Sequence, residues 1–345
     1  MKQGWEYKKI GNICNITTGK LDANAANEDG LYPFFTCSRI PLSINTYAYD
    51  CECILIAGNG DLNVKYYNGK FNAYQRTYIL QLKNDVNGVE MRYIFAFFNL
   101  YIEELRRKSI GGIIKYIKLG DLTNALLPLP DITTQLSIVS ELDKINELIR
   151  LKKEQLKDYD NLAQSIFYEM FGDPVENEKG WNKMKWKDVL TIINGKNQSA
   201  VVDENGDYPI YGSGGIMGYA NNWLCPEKCT IIGRKGNINK PIFVESKFWN
   251  VDTAFGLKPN IEILSPRFLF YFCLNYNFER HNKAVTIPSL TKADLLKIDI
   301  PLPPLSLQRL FAQRIEQIER EKSEVQKSIQ DLETLLASRM QYWFE

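Results

Sequence analysis

Two sets of cationic and amide side chains carry the chemistry this sequence offers. Arg106, Arg107, Lys108, Lys115 and Lys118 fall in a run with no acidic residue between Leu105 and Gly120. Arg234, Lys235 and Lys240 surround Gly236-Asn237, with Arg280 and Lys283 further on. Turn-forming stretches add Lys20, Arg39, Asn59, Gln75 and Arg76 to the first set, and Lys196, Asn197 and Ser213 to the second. Arginine and lysine suit phosphate oxygens and guanine edges, and the amides suit adenine edges. Any one of these side chains is more often just a solvated surface group. Similar polar loops written twice favour the set over its single members. The candidate contacts are Lys20, Arg39, Asn59, Gln75, Arg76 and Lys115, then Lys196, Asn197, Ser213, Arg234, Lys235, Asn237 and Lys283.

The usual catalytic patterns are missing. There is no GxxxxGK[ST] phosphate-binding loop. Gly212-Ser213-Gly214-Gly215 resembles a dinucleotide fingerprint only loosely, and its counterpart Thr36-Cys37-Ser38-Arg39 has no glycine. Turn glycine is the simpler reading. His281 is the only histidine, which removes His-rich metal sites; in a polar loop it is expected to be solvated. Cys51 with Cys53, or Cys225 with Cys229, lack further ligands for zinc. Pro130-Asp131 has no Asp/Glu-x-Lys on the helix behind it, and no Asn-Pro-Pro-Tyr motif for a flipped base occurs. No catalytic residue and no metal site are expected.

The elements that must position the polar loops are themselves duplicated. Gly4-Trp5 recurs as Gly180-Trp181, Gly19-Lys20 as Gly195-Lys196, and Tyr32-Pro33 as Tyr208-Pro209. Gly60-Asp61-Leu62-Asn63 recurs as Gly236-Asn237-Ile238-Asn239, and Arg92-Tyr93-Ile94-Phe95 as Arg267-Phe268-Leu269-Phe270. Pro128-Leu129-Pro130 recurs as Pro301-Leu302-Pro303, and Gln135 as Gln308. A period this long means two domains rather than a solenoid. Tyr32 with Tyr208, and Leu62 with Ile238, should occupy equivalent places.

Each half reads as strands, then an aromatic helix, then a proline-marked exit, an α+β order. Residues 53–58, 230–233, 78–82 and Ile242–Val244 read as strands, and 93–98 and 268–274 as buried helices. Glycine and asparagine clusters, 212–218 among them, read as turns.

A long helix follows each half. Over 133–171 the apolar row is Ile138, Leu142, Ile145, Ile149, Leu156, Tyr159, Ala163, Ile166 and Met170, broken by Lys152. Shifted by 173, it becomes Phe311, Ile315, Ile318, Val325, Ile329, Leu332, Leu336, Arg339 and Trp343, broken by Lys322. A seam with alternating spacings of four and three keeps one stripe facing a partner helix. Gly172-Asp173-Pro174 ends the first helix.

Composition sets bounds. The 345 residues leave room for two domains and the helices, and 45% are hydrophobic. Net charge is +1, so polyelectrolyte contacts must come from local patches. Seven cysteines without a CxxC pair suit a reduced, cytoplasmic protein. No stretch reads as a signal peptide or a membrane span.

YPFFT and YPIYGSGG, the turn after TIIGRKGNIN, RYIFAFF and RFLFYF, and PLPDITTQ and PLPPLSLQ together resemble the specificity subunits of type I restriction–modification systems. The resemblance covers essentially the whole chain. It implies two similar target recognition domains, 1–130 and 173–303, joined by two long antiparallel coiled-coil spacer helices, 131–172 and 304–345, as a pseudo-twofold internal repeat. It implies that each domain reads one half of a split double-stranded DNA site, and that the helices set the gap. Two methyltransferase subunits would dock on the helices and carry S-adenosylmethionine, and ATP-driven restriction subunits would join them. This chain would hold no cofactor and do no chemistry. The alternatives are a stand-alone DNA-binding regulator and a DNA enzyme with an unrecognised active site. A coiled-coil adaptor that binds no DNA is a weaker third.

Overall fold

The apolar runs 53–58 and 230–233 are buried on both faces, and each lies in the middle of a sheet. The computed structural model describes residues 4–282, 284 and 286–345. The chain divides into two units, residues 1–153 with 327–345, and residues 154–326.

In the first unit β1 (Glu6–Lys9) and α1 (Ile10–Ile13) lead into β2 (Cys14–Thr18). Then come β3 (Tyr32–Phe35), β4 (Leu42–Ile44), β5 (Tyr49–Ala57), β6 (Val64–Ala73) and β7 (Thr77–Leu82). Six strands form one sheet in the order β2-β7-β5-β6-β3-β4. The aromatic helix α2 (Met91–Lys108), the short α3 (Leu119–Thr123) and β8 (Leu126–Leu129), which pairs with β1, precede the long helix α4 (Ile132–Phe171).

The sheet is curled. β6 and β7 flank β5 and run the same way, yet only residues 74–76 join them. Three residues reach about 10 Å, far less than a ten-residue strand. Curling returns the end of β6 to the end of β2, where the Leu21 N–H donates to the Ala73 carbonyl at 3.4 Å. Ile54, Ile56 and Leu80 pack towards Ile94, Phe97 and Phe98 of α2. Cys53, Leu55 and Ile79 fill the inside of the curl with Phe35 and Phe71. Alternate residues therefore meet different cores, which is why these strands read as unbroken apolar runs.

The second unit repeats this order. It holds β9 (Lys183–Lys185), α5 (Trp186–Val189), β10 (Leu190–Asn194), β11 (Tyr208–Gly212), β12 (Gly215–Ala220), β13 (Cys229–Gly233), β14 (Ile242–Val244) and β15 (Trp249–Asn250). β16 (Ala254–Pro259), α6 (Pro266–Asn275), α7 (Lys292–Leu295), β17 (Asp299–Pro301) and the long helix α8 (Leu305–Phe344) follow. Its sheets, β10-β16-β13-β14 and β12-β11-β15, give the first unit's order with β6 split in two. The parallel pair recurs as β11 with β15. Tyr32 and Tyr208 open corresponding strands, and Leu62 and Ile238 are each 2% exposed. One expectation needs correcting. Residues 212–218 are not simply a turn but the tight bend of a hairpin and the start of its second strand, because the backbone from Gly215 pairs with β11.

Gln135 and Gln308 make the same clamp. The Gln135 side-chain oxygen accepts from the Glu90 N–H at 2.9 Å, and its amide donates to the Gly88 and Pro130 carbonyls. Gln308 accepts from the Ser265 N–H at 2.8 Å and donates to Ile263 and Pro303. Both are fully buried. Each glutamine ties the start of a long helix to the loop that caps the aromatic helix, satisfying backbone groups that a helix start leaves open.

α4 and α8 have 40 residues each. In the first unit Glu141 pairs with Arg339, and Lys153 with Glu333 at 2.8 Å. In the second, Asp160 pairs with Lys322, and Phe171 packs on Phe311 at 5.3 Å. One number rises as the other falls, so the helical segments run antiparallel within each unit. Seam residues Ile138, Leu142, Ile145 and Ile149 are buried, as are Phe311, Ile315, Ile318, Val325 and Ile329. Towards the end of α4 the buried stripe moves to Phe167 and Phe171 while Ile166 and Met170 stay partly covered, because that end packs into the second unit's core.

Candidate nucleic-acid interface

Curling brings the first unit's loops to one end of its sheet. The Gln75 N–H donates to Leu21 beside Lys20, and the Gly58 N–H to Arg76. Asn59 bridges to Tyr116, and the Gly60 N–H donates to the Lys115 carbonyl at 3.0 Å. The Cys37 thiol reaches the Arg76 carbonyl, and the Asn63 amide spans the Cys37 and Asp61 carbonyls. Lys20, Arg39, Asn59, Gln75, Arg76 and Lys115 thus stand on adjoining loops, all but Asn59 well exposed. A cleft of about 300 Å³ runs between Thr18, Gln75, Arg76, Tyr116 and Lys118.

Gly19 explains how Lys20 comes so close. A Cβ there would lie 2.2 Å from the Ala73 carbonyl oxygen, and at Gly195 1.8 Å from that of Val251. Only glycine lets these loops touch.

Arg39 is already engaged. Its Nε donates to Asp61 Oδ2 at 2.7 Å and its Nη2 to Oδ1 at 3.3 Å. That contact holds the Asp61 carboxyl below its ordinary range. Arg106 approaches the same carboxylate at 3.7 Å.

The second unit gathers its candidates by the same bonds. The Lys196 N–H donates to Asn250, and Arg234 and Lys235 both donate to the Thr253 carbonyl. The Arg234 guanidinium lies 5.9 Å from the Phe255 ring. Asn197 folds its side-chain oxygen onto the Ser199 N–H. Ser213 comes to the Gly236-Asn237 turn, its hydroxyl 3.8 Å from where a Gly236 Cβ would lie. Lys283, also expected here, lies outside the described residues.

Matching hydrogen bonds pair the loops across units and show residues that sequence reasoning missed. Gly58 with Arg76 corresponds to Arg234 with Thr253, and Tyr74 with Phe35 to Val251 with Tyr211. Where the first unit carries Gln75-Arg76, the second carries Asp252-Thr253. Where the first has Asp61, the repeat places Asn237. Asp252 gave no signal in the sequence because its segment has no similarity to the first half.

One other expectation changes. His281 is half-buried rather than solvated, stacked on Tyr276 with Nε2 2.7 Å from the tyrosine hydroxyl. Burial pushes the Cys229 thiol up to about 12 and raises those of Cys53 and Cys225, so these three stay protonated. Protonated thiols are poor metal ligands. Among the described residues, no helix is long and apolar enough to cross a membrane.

Two equivalent α+β units, each with a polar loop cluster and antiparallel segments of the two 40-residue helices, define a duplicated recognition scaffold. The chain belongs to the type I restriction modification DNA specificity family, whose domain model matches residues 2–158 and again 178–334. It is 37% identical to the EcoDI specificity subunit of Escherichia coli over 153 residues, 44% of this chain and 34% of that relative. It is 22% identical to the MjaVIII specificity subunit of Methanocaldococcus jannaschii, covering 97% of this chain and 92% of the relative. In fold it is similar to the crystal structure of an S subunit of a type I restriction–modification system from M. genitalium. That match has a TM-score of 0.64 at 16% identity, over 100% of this chain and 98% of the other. A chain from a study of assembly and conformational transition of the type I system matches at 0.62 and 19%, with the same coverage.

Proposed function

We propose that this chain is the specificity subunit of a type I restriction–modification complex and that it reads a split DNA site. Residues 1–130 and 173–303 each read one half-site. Residues 131–172 and 304–345 form the spacer that sets the gap and docks two methyltransferase subunits. S-adenosylmethionine and ATP belong to those and to the restriction subunits, in the cytoplasm. The chain contributes recognition and no catalytic group.

The observation that carries this reading is the pairing of equivalent loops with unequal chemistry. Arginine and glutamine present donors to base edges, whereas a carboxylate such as Asp252 accepts from the cytosine amino group. Two matched scaffolds with different tips suit two different half-sites. The test is to purify the chain with its methyltransferase subunits and map the methylated bases on genomic DNA. The expected result is a bipartite motif with a constant gap. Methylation of one contiguous motif, or none above that of the methyltransferase alone, would overturn it.

A further inference from the structure

The run 109–118 holds an apolar feature that the polar reading does not use. Ile110 and Tyr116 pair through both backbone hydrogen bonds, at 3.0 and 2.8 Å, closing a tight hairpin. Gly111, at φ +122°, makes the turn, and a Cβ there would meet the Ile114 carbonyl oxygen at 2.5 Å. Below the tip the hairpin is held firmly. Gly60 donates to Lys115, Ile117 donates to Gly58, and the Tyr78 hydroxyl donates to the Ile117 carbonyl. At the tip, Ile113 is fully exposed and Ile114 is 62% exposed.

Single exposed aliphatics need no explanation, but a contiguous apolar tip on a pre-organised hairpin does. Its surroundings narrow the choice of partner. Arg76, Lys115 and Lys118 flank it, so the partner is anionic around an apolar target. Part of the feature has a counterpart in the second unit. The Gly236 N–H donates to Pro288 and the Leu290 N–H to Arg234, which aligns Ile287 with Ile114, and Ile287 is 61% exposed.

Resting on the function proposed above, we infer that the 110–116 hairpin enters the major groove of the first half-site and that Ile113 and Ile114 contact a thymine methyl group. The major groove is about 12 Å wide and admits a two-stranded ribbon, and the thymine C5 methyl is the apolar group displayed there. Lys115 and Arg76 meet the flanking phosphates. Ile287 makes the corresponding contact in the second half-site.

The experiment uses the full chain assembled with its methyltransferase subunits and duplexes carrying the mapped site. Each thymine of the first half-site is replaced in turn by deoxyuridine, which lacks only the methyl group. One replacement should weaken binding about fourfold, the worth of one buried methyl group. The double variant Ile113→Ala/Ile114→Ala should be indifferent to that replacement while still reading the second half-site. Three results would overturn the assignment. One is that no uracil position distinguishes the native chain from the variant. Another is that the variant changes duplex bending without any uracil effect, the mark of a wedge between base steps. The third is that the variant impairs assembly with the methyltransferase and leaves base preference unchanged. If no bipartite site can be mapped, the proposed function has failed. If a mapped site shows no methyl dependence, only the role of the tip has failed.

Discussion

Arg234 and Lys235 show what one side chain can contribute to this interface. Both are exposed, and both are fixed at the backbone by the Thr253 carbonyl. If they touch phosphates, changing both to alanine should weaken DNA binding by the assembled methyltransferase and lower its salt slope by about two. If one reads a guanine, about 1–3 kcal/mol of discrimination at a single position should vanish. Titrations at several salt concentrations, with and without a site mismatch, separate the two cases. Unchanged affinity and specificity would remove both residues from the interface. Gln308 acts on stability instead. Gln308→Ala leaves the Ser265 N–H and two carbonyls buried without their partner, a loss of about 3 kcal/mol. Urea unfolding should show it, with hydrogen exchange rising first at the start of α8. A variant as stable as the native chain would make the clamp incidental.

At the scale of elements, a carboxylate on α4 holds the end of α8 within the first unit. Glu141 accepts from Arg339 Nη2 at 3.0 Å, from Arg339 Nε, and from Trp343 Nε1 at 3.1 Å. Trp343 stacks on Trp5, and Phe344 packs on Tyr93. The hydrogen bond from Arg339 holds the Glu141 carboxyl below its ordinary value of 4.5. Folding lowers this pKa, so the stabilisation is fully present above 4.5 and is lost as the pH falls through the depressed value. Acid titration should therefore change Trp343 emission only below pH 4.5, read as the difference between the native chain and Trp343→Phe. Glu141→Gln should abolish that step. A step of the same size and midpoint in Glu141→Gln would assign it to another group.

For the whole molecule, the proposed spacer makes a ruler. Seven residues added after Asp158 and seven after Gln326 keep each seam in phase and lengthen both helices by about 10 Å. At about 3.4 Å per base pair, the preferred gap should grow by about three pairs. Both half-sites should stay the same, since no reading loop is touched. Methylation mapping of the insertion variant checks both. An altered half-site with an unaltered gap would rule out the ruler.

Local order was legible in the sequence because local physics encodes it. The seam repeat specifies α4 and α8, the aromatic runs specify α2 and α6, and the Pro-x-Pro and glutamine motif marks where each long helix begins. The duplication is visible for the same reason, since it preserves those motifs at a near-constant offset. What the tertiary structure alone decided depends on strands far apart in the chain. Curling of the β2–β7–β5–β6 sheet brings Lys20, Asn59, Arg76 and Lys115 onto adjoining loops. Strand pairing aligns Asp252-Thr253 with Gln75-Arg76, where no sequence likeness links them. The same packing turns Arg39 to Asp61 and lifts Ile114 away from the core, because burial is a property of the assembled fold and not of the residue.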